Sequence, residues 1–240
     1  MRRLLLTNDD GIDAPGLAAL EEACADLADE LIIVAPHEQN SQVGHRVTTH
    51  EPLGLTEHHA GRRYAVHGSP ADSVRVALKG LLHTSPPDLV ISGINYGGNL
   101  GRHDIYISGT VAAAREAAFH GVPAIAISNY HHGDFPFHWE TSARYARRAI
   151  QALIETETPL RDGEIWNVNL PHVAPDARPP ELRHCEPERA PLEVAFDRGE
   201  DENGNHHFRY TGRYQSRGHN GDSDVAVCFG GDIAVSRLAL

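Results

Sequence analysis

Asp9 and Asp10 stand side by side in Asn8-Asp9-Asp10-Gly11, directly after an apolar stretch that reads as a β-strand. Two adjacent carboxylates repel each other unless a cation or buried donors compensate. In an arbitrary turn such a pair forms an Asx turn or caps the next helix. At a strand end, with Gly11 freeing the turn, it becomes a candidate cation site. Two further strand ends offer oxygen donors: Pro36-His37-Glu38-Gln39-Asn40-Ser41 and Gly93-Ile94-Asn95-Tyr96-Gly97-Gly98-Asn99-Leu100-Gly101. Taken singly, Ser41 and Asn95 are ordinary loop or cap residues. As a set, these carboxylate, amide and hydroxyl oxygens, with no Cys or His pair at metal spacing, suit Mg²⁺ or Mn²⁺ rather than Zn²⁺. The glycine-rich run 93–101 lets a backbone approach a ligand closely. It matches neither the P-loop nor the dinucleotide fingerprint, so it reads equally as a phosphate loop or a tight connection. Ser108-Gly109-Thr110 opens a helix, as an anion-binding terminus or as a plain cap.

Strands and helices must bring these segments together. Apolar runs at Arg3–Thr7, Glu30–Ala35, Arg63–His67, Asp88–Ser92, Ala124–Ser128 and Glu164–Asn169 read as strands. Their near-continuous apolar character is that of strands covered on both faces by helices. Helical patterns lie between them at Pro15–Ala28, Pro70–Leu82, Thr110–His120 and Trp139–Glu155. Ser69-Pro70-Ala71-Asp72 carries a hydroxyl cap, a first-turn proline and a carboxylate three residues after the cap. Gly121-Val122-Pro123 ends the helix before it. The alternation predicts βαβ units and a mainly parallel sheet, whose ligands bind beyond the carboxyl ends of the strands. From Pro171 the composition shifts to a proline-punctuated stretch. The alternating runs Leu192–Phe196 and His206–Tyr214 flank a polar segment and predict a hairpin. Two further strands are expected within Asp224–Leu238.

The chain has 240 residues, 40% hydrophobic and 22% charged, which is enough to bury a core and excludes a disordered chain. Lys and Arg number 21 against 33 Asp and Glu, a formal net charge of −12. That surface repels nucleic-acid backbones and anionic lipid, so neither a duplex nor a membrane is an expected partner. An anionic substrate then needs a local attractor, for which a bound cation is the obvious candidate. No apolar run approaches the ~20 residues of a membrane span. Met1-Arg2-Arg3-Leu4-Leu5-Leu6 is too short for a signal-peptide apolar region. Cys24, Cys185 and Cys228 form no disulfide framework. A cytoplasmic protein is expected. The 17 histidines are scattered and read as surface residues, and no Gly-x-Ser-x-Gly elbow supports a serine hydrolase.

Five motifs occur in order: Leu4-Leu5-Leu6-Thr7-Asn8-Asp9-Asp10-Gly11 with Ala14-Pro15-Gly16; Val34-Ala35-Pro36 with Ser41; Gly68-Ser69-Pro70-Ala71-Asp72; Ser92-Gly93-Ile94-Asn95 with Gly98-Asn99-Leu100-Gly101; and Ser108-Gly109-Thr110-Val111-Ala112-Ala113-Ala114. Each is weak alone; as a series they resemble the SurE family, the stationary-phase survival proteins, which are metal-dependent nucleoside-monophosphate phosphatases. The likeness is dense over residues 3–128, thin over 171–220, and returns in 222–238. It implies an α/β fold, a Rossmann-like three-layer αβα sandwich with a mainly parallel sheet. The catalytic core would cover residues 1–170, and a hairpin-containing C-terminal extension, 171–240, would be exchanged between the subunits of a homodimer or homotetramer.

The same resemblance implies one divalent metal ion per subunit, held by Asp9, Asp10, Ser41 and Asn95. The expected substrates are nucleoside 5′- or 3′-monophosphates and, in some members, short polyphosphate. The expected 5′-nucleotidase reaction uses a metal-activated water, with Asp9 and Asp10 catalytic and no covalent phosphoenzyme. Asn40, Asn99, Ser108, Gly109 and Thr110 would orient the phosphoryl oxygens. Three positions depart from the pattern. Ile107 intervenes between Tyr106 and Ser108, His103 stands where an acidic residue is common, and the chain stops at Leu240 where many relatives carry a longer tail. Two other readings of the same crevice stay open: a nucleotide sensor that does not hydrolyse its ligand, and a dinucleotide-dependent oxidoreductase, which the missing fingerprint disfavours.

Overall fold

Side chains of the first strand, β1 (Arg3–Thr7), alternate between two apolar layers: Leu4 and Leu6 enter one, Leu5 the other. That alternation puts the strand at the centre of a sheet covered on both sides. The computed structural model describes residues 1–40, 43–134, 136–174 and 176–239. Strands β2 (Glu30–Pro36), β3 (Gly54–His59), β4 (Arg63–His67), β5 (Leu89–Tyr96), β6 (Ala124–Asn129), β7 (Glu164–Leu170), β8 (Leu182–His184) and β11 (Ile233–Ala239) join β1 in a nine-stranded sheet of order β3-β4-β2-β1-β5-β6-β7-β11-β8. Six of its pairings are parallel; β3 on β4 and β11 on β7 are antiparallel. Strands β9 (Phe196–Glu200) and β10 (His206–Tyr210) form a hairpin separate from the main sheet, whose first arm runs into the polar segment expected as its connection instead of covering Leu192–Phe196.

Helices α1 (Pro15–Cys24) and α5 (Trp139–Ile154) cover one face, contributing Leu17, Leu20, Ala146 and Ile150 to its core. Helices α2 (Pro70–Arg75) and α4 (Gly109–Phe119) cover the other with Val74, Val111, Ala114 and Ala117. The result is a three-layer α/β sandwich with a mainly parallel sheet. The Ser69–Asp72 signature forms a reciprocal capping box: Ser69 Oγ accepts from Asp72 N–H, and Asp72 accepts from Ser69 N–H. Among the described residues no helix is long and apolar enough to cross a membrane.

Several elements differ from the expected pattern. The helix expected over 70–82 changes to a π-helical turn at Val76–Leu81. Strand β3 was not expected because all six of its residues are exposed and no hydrophobic alternation marks them. One of the two strands expected in the tail is helix α6 (Asp224–Phe229), started by the Ser223 hydroxyl, which accepts from Ala226 N–H. Helix α3 (Gly101–Ile107) follows directly from the glycine run.

For function, the telling difference is β5. It runs on to Tyr96 instead of ending at Ser92, with a register shift between Ser92 and Asn95. Asn95 therefore sits on a strand end rather than in a loop. Gly93 makes the irregularity possible. Its φ is +142°, and a Cβ there would lie 2.2 Å from the Ile127 carbonyl oxygen. The chain leaves β1 toward β2 on one side and returns through β5 on the other, so the β1/β5 boundary is the switch point where open α/β sheets bind ligands. Gly93→Ala should destabilise the fold by about 2–4 kcal/mol, from backbone strain plus overpacking, read as a lowered urea midpoint at unchanged slope.

Candidate active site

Asp9 leaves the end of β1 and is 3% exposed. Its Oδ1 accepts from Thr110 Oγ1 at 2.6 Å, and its backbone carbonyl accepts from Asn40 N–H at 2.7 Å. The turn beneath it is tied by Asn8, whose Nδ2 donates to the Gly11 carbonyl while its Oδ1 accepts from Gly11 N–H. Helix α4 presses its first turn onto Asp9: a Cβ at Gly109 would come within 2.8 Å of Asp9 Cβ. Only glycine admits that approach. Burial pushes the Asp9 carboxyl up to about 7; the Thr110 hydrogen bond opposes the rise and the neighbouring Asp10 charge adds to it. Asp10 is half-buried and bridges two segments. Its Oδ2 accepts from Tyr96 N–H at 3.3 Å and its Oδ1 from Gln39 Nε2 at 3.4 Å.

Asp9, Asp10, Asn95, Asn99 and Ser108 line one cleft of about 820 Å³. Asn95 Nδ2 donates to the Gly97 carbonyl at 2.9 Å, which orients the amide. Asn99 is held by β6 and β7: its Nδ2 donates to Ser128 Oγ, and its N–H donates to Asn169 Oδ1 at 2.7 Å. Ser108 caps α4 by accepting from Val111 N–H at 3.1 Å. Thr110 stands behind Asp9, with its hydroxyl engaged there. Asn40 turns its side-chain amide to the Glu38 carbonyl, so its contact with the site is the backbone bond to Asp9. Ser41 lies outside the described residues. Among the described residues no cluster of three or more His, Cys, Asp or Glu side chains gathers for a metal, so any cation here needs amide and hydroxyl oxygens as well.

The C-terminal stretch fastens the glycine run from behind. Asp104 on α3 accepts from Tyr214 Oη and Arg217 Nη1, each at 2.7 Å, and the Arg217 guanidinium lies over the Tyr214 ring. Asp224 accepts from Gly101 N–H and Glu188 N–H, both at 2.8 Å. Burial alone would raise the Glu188 carboxyl, but the N–H groups of Ala190, Asn220 and Arg189 outweigh it and hold it at about 2. Asp104, Glu188, Tyr214, Arg217 and Asp224 carried no sequence signal, because their partners lie up to 123 residues away.

The family model of the survival protein SurE matches residues 4–190. The chain belongs to the SurE family. A Nostoc protein is 43% identical to it with 98% of each chain covered. The 5′-nucleotidase SurE of Desulforudis audaxviator is 38% identical over 99% of this chain and 91% of its own. The crystal structure of the SurE protein from Aquifex aeolicus superposes with a TM-score of 0.86 at 29% identity, covering 99% of this chain and 93% of that one.

In this SurE chain the buried Asp9 makes a linkage prediction. The unfolded carboxyl loses its proton near 3.8, while the folded one keeps it until about 7. Between those values the unfolded state binds fewer protons, so this group removes stability as pH rises. Asp9→Asn keeps the Thr110 acceptor and cannot ionise. With EDTA present, its stability relative to wild type should increase from pH 4 to pH 7 and then level, by up to about 4 kcal/mol, measured by urea unfolding at each pH.

Proposed function

We propose that this chain is a divalent-cation-dependent phosphomonoesterase that hydrolyses nucleoside 5′- (or 3′-) monophosphates to nucleoside and phosphate. The observation that carries the reading is the convergence of Asp9, Asp10 and Asn95 at the β1/β5 switch point, against the first turn of α4. Relatives covering nearly the whole chain include a 5′-nucleotidase SurE, which supports the same activity here. The donor chemistry fits one Mg²⁺ or Mn²⁺. The available atoms are carboxylate and amide oxygens, and burial of Asp9 beside Asp10 disfavours their joint ionisation unless a positive charge joins them.

Asp9, Asp10 and Asn95, through its Oδ1, would hold the ion, with Ser41 as the further donor of the set. A bound ion at this position supplies charge against the phosphate and acidity to an attacking water. The protein's own groups do the rest. Ser108 and the α4 N-terminus present N–H groups and a positive dipole end to phosphoryl oxygens. Asn99, held by Ser128 and Asn169, adds a fixed polar edge on the cleft wall. Thr110 keeps Asp9 in one rotamer and stabilises its ionised form. The extension 171–240, through Tyr214 and Arg217, holds α3 and the glycine run in place. The exposed Phe196, Phe208 and Tyr210 of the β9–β10 hairpin support its use as a contact between subunits of a dimer or tetramer. A cytoplasmic location and a second activity on short polyphosphate complete the reading.

The test is phosphate release from AMP with Mn²⁺ or Mg²⁺ against EDTA. Wild type should turn over only with the ion, and Asp10→Asn should lose at least about 100-fold in kcat/KM with an unchanged circular-dichroism spectrum. Wild-type turnover by that variant would rule the scheme out. Binding of AMP without phosphate release would favour a sensor.

A further inference from the structure

The phosphate end of the cleft is described above, but one large side chain in its wall has no part in it. Tyr96 is 50% exposed and lines the same cleft as Asp9, Asp10 and Asn95. It stands one residue from the candidate ligand Asn95, with part of its ring open to the cleft. Its backbone is pinned by the bond from Tyr96 N–H to Asp10. Its ring is pinned too. The His131 ring lies 4.9 Å away, the edge-on Phe137 ring 5.1 Å and the Trp139 ring 6.0 Å. Phe137 in turn packs edge-on against Trp139 at 4.8 Å, and Trp139 packs against the core below α5. The platform is therefore ordered before any ligand arrives, which lowers the entropic cost of stacking on it.

Position adds to this. Neighbouring side chains on a strand project to opposite sides. Tyr96 leans toward α5, whereas the Thr110 and Gly109 contacts with Asp9 lie on the α4 side. A substrate whose phosphate sits at the α4 terminus can reach Tyr96 over the end of β5 within the same cleft. There Gly97 and Gly98 present no bulk, and Leu192 and Val194 from the C-terminal extension add apolar lining.

We propose that Tyr96 is the platform on which the nucleobase of the substrate stacks, a specificity-determining residue that favours nucleotides over other phosphate esters while tolerating different bases. The inference rests on the nucleotidase reading of the cleft and deepens it. Stacking is indifferent to base edges because every base offers a π-face. Discrimination by Tyr96 is accordingly between phosphate esters with and without a flat ring, rather than between one base and another.

The test compares wild type, Tyr96→Ala and Tyr96→Phe on AMP and on ribose 5-phosphate, which keeps the phosphate and sugar but lacks the base. Adenosine binding is measured separately by calorimetry. The ratio of kcat/KM for AMP to that for ribose 5-phosphate should fall about tenfold in Tyr96→Ala, through KM, and stay within about twofold in Tyr96→Phe. Adenosine affinity should fall in parallel. An unchanged ratio in Tyr96→Ala overturns the proposal. Absence of phosphate release from either substrate by wild type instead defeats the nucleotidase reading. Adenosine then decides the platform alone, and no binding, or equal binding by wild type and Tyr96→Ala, overturns it.

Discussion

A carboxylate buried against the start of a helix organises this molecule. Asp9 is enclosed by Gly109 and bonded to Thr110, so β1 and α4 cannot separate without exposing an orphaned donor or stranding a charge. Its backbone carbonyl holds Asn40 at the end of β2, and its neighbour Asp10 holds Tyr96 at the end of β5. Three strand ends and one helix are thus referred to two adjacent aspartates. An arrangement that gathers negative charge in a low-dielectric pocket is costly for an empty protein and favourable for one that receives a cation.

The second constraint comes from the end of the chain. Arg217 and Asp104 form a buried pair, satisfied by Tyr214 and by the ring face beneath the guanidinium. Breaking such a pair on one side typically costs about 3–5 kcal/mol, far more than a surface bridge is worth. The glycine run, which alone would be loose, inherits rigidity from these contacts. Strand β11 extends the same sheet through β7, so residues beyond 170 are part of the architecture that shapes the cleft.

Much of this was legible in the sequence, for identifiable reasons. Strands β1 and β4 coincide with their apolar runs, and the Ser69-Pro70-Asp72 cap forms as its spacing demands, because both are decided by local chemistry. The adjacent aspartates likewise fall at the end of β1, as their place after the apolar run requires, and both line one cleft. What could not be read depends on tertiary partners. Thr110 reads as a helix-opening hydroxyl and turns out to serve Asp9 from 101 residues away. Asn95 reads as a loop residue because the glycine run does not show that β5 continues past the irregularity at Gly93, where the chain lies against the Ile127 carbonyl. Strand β3, exposed throughout, is held in the sheet by pairing with β4.

That exposed strand has a consequence at the margin of the sheet. A free strand edge is a template for another chain, and β3 meets this hazard with Glu57, His58 and His59 exposed along it. At the opposite margin β8 has only three residues, bracketed by Pro179 and Pro180 before it and Pro187 after it. Neither rim offers a long, flat, apolar ladder to a newcomer. Lateral growth into fibrils is thereby discouraged at both ends, and a crowded population of these molecules is protected against edge-to-edge aggregation.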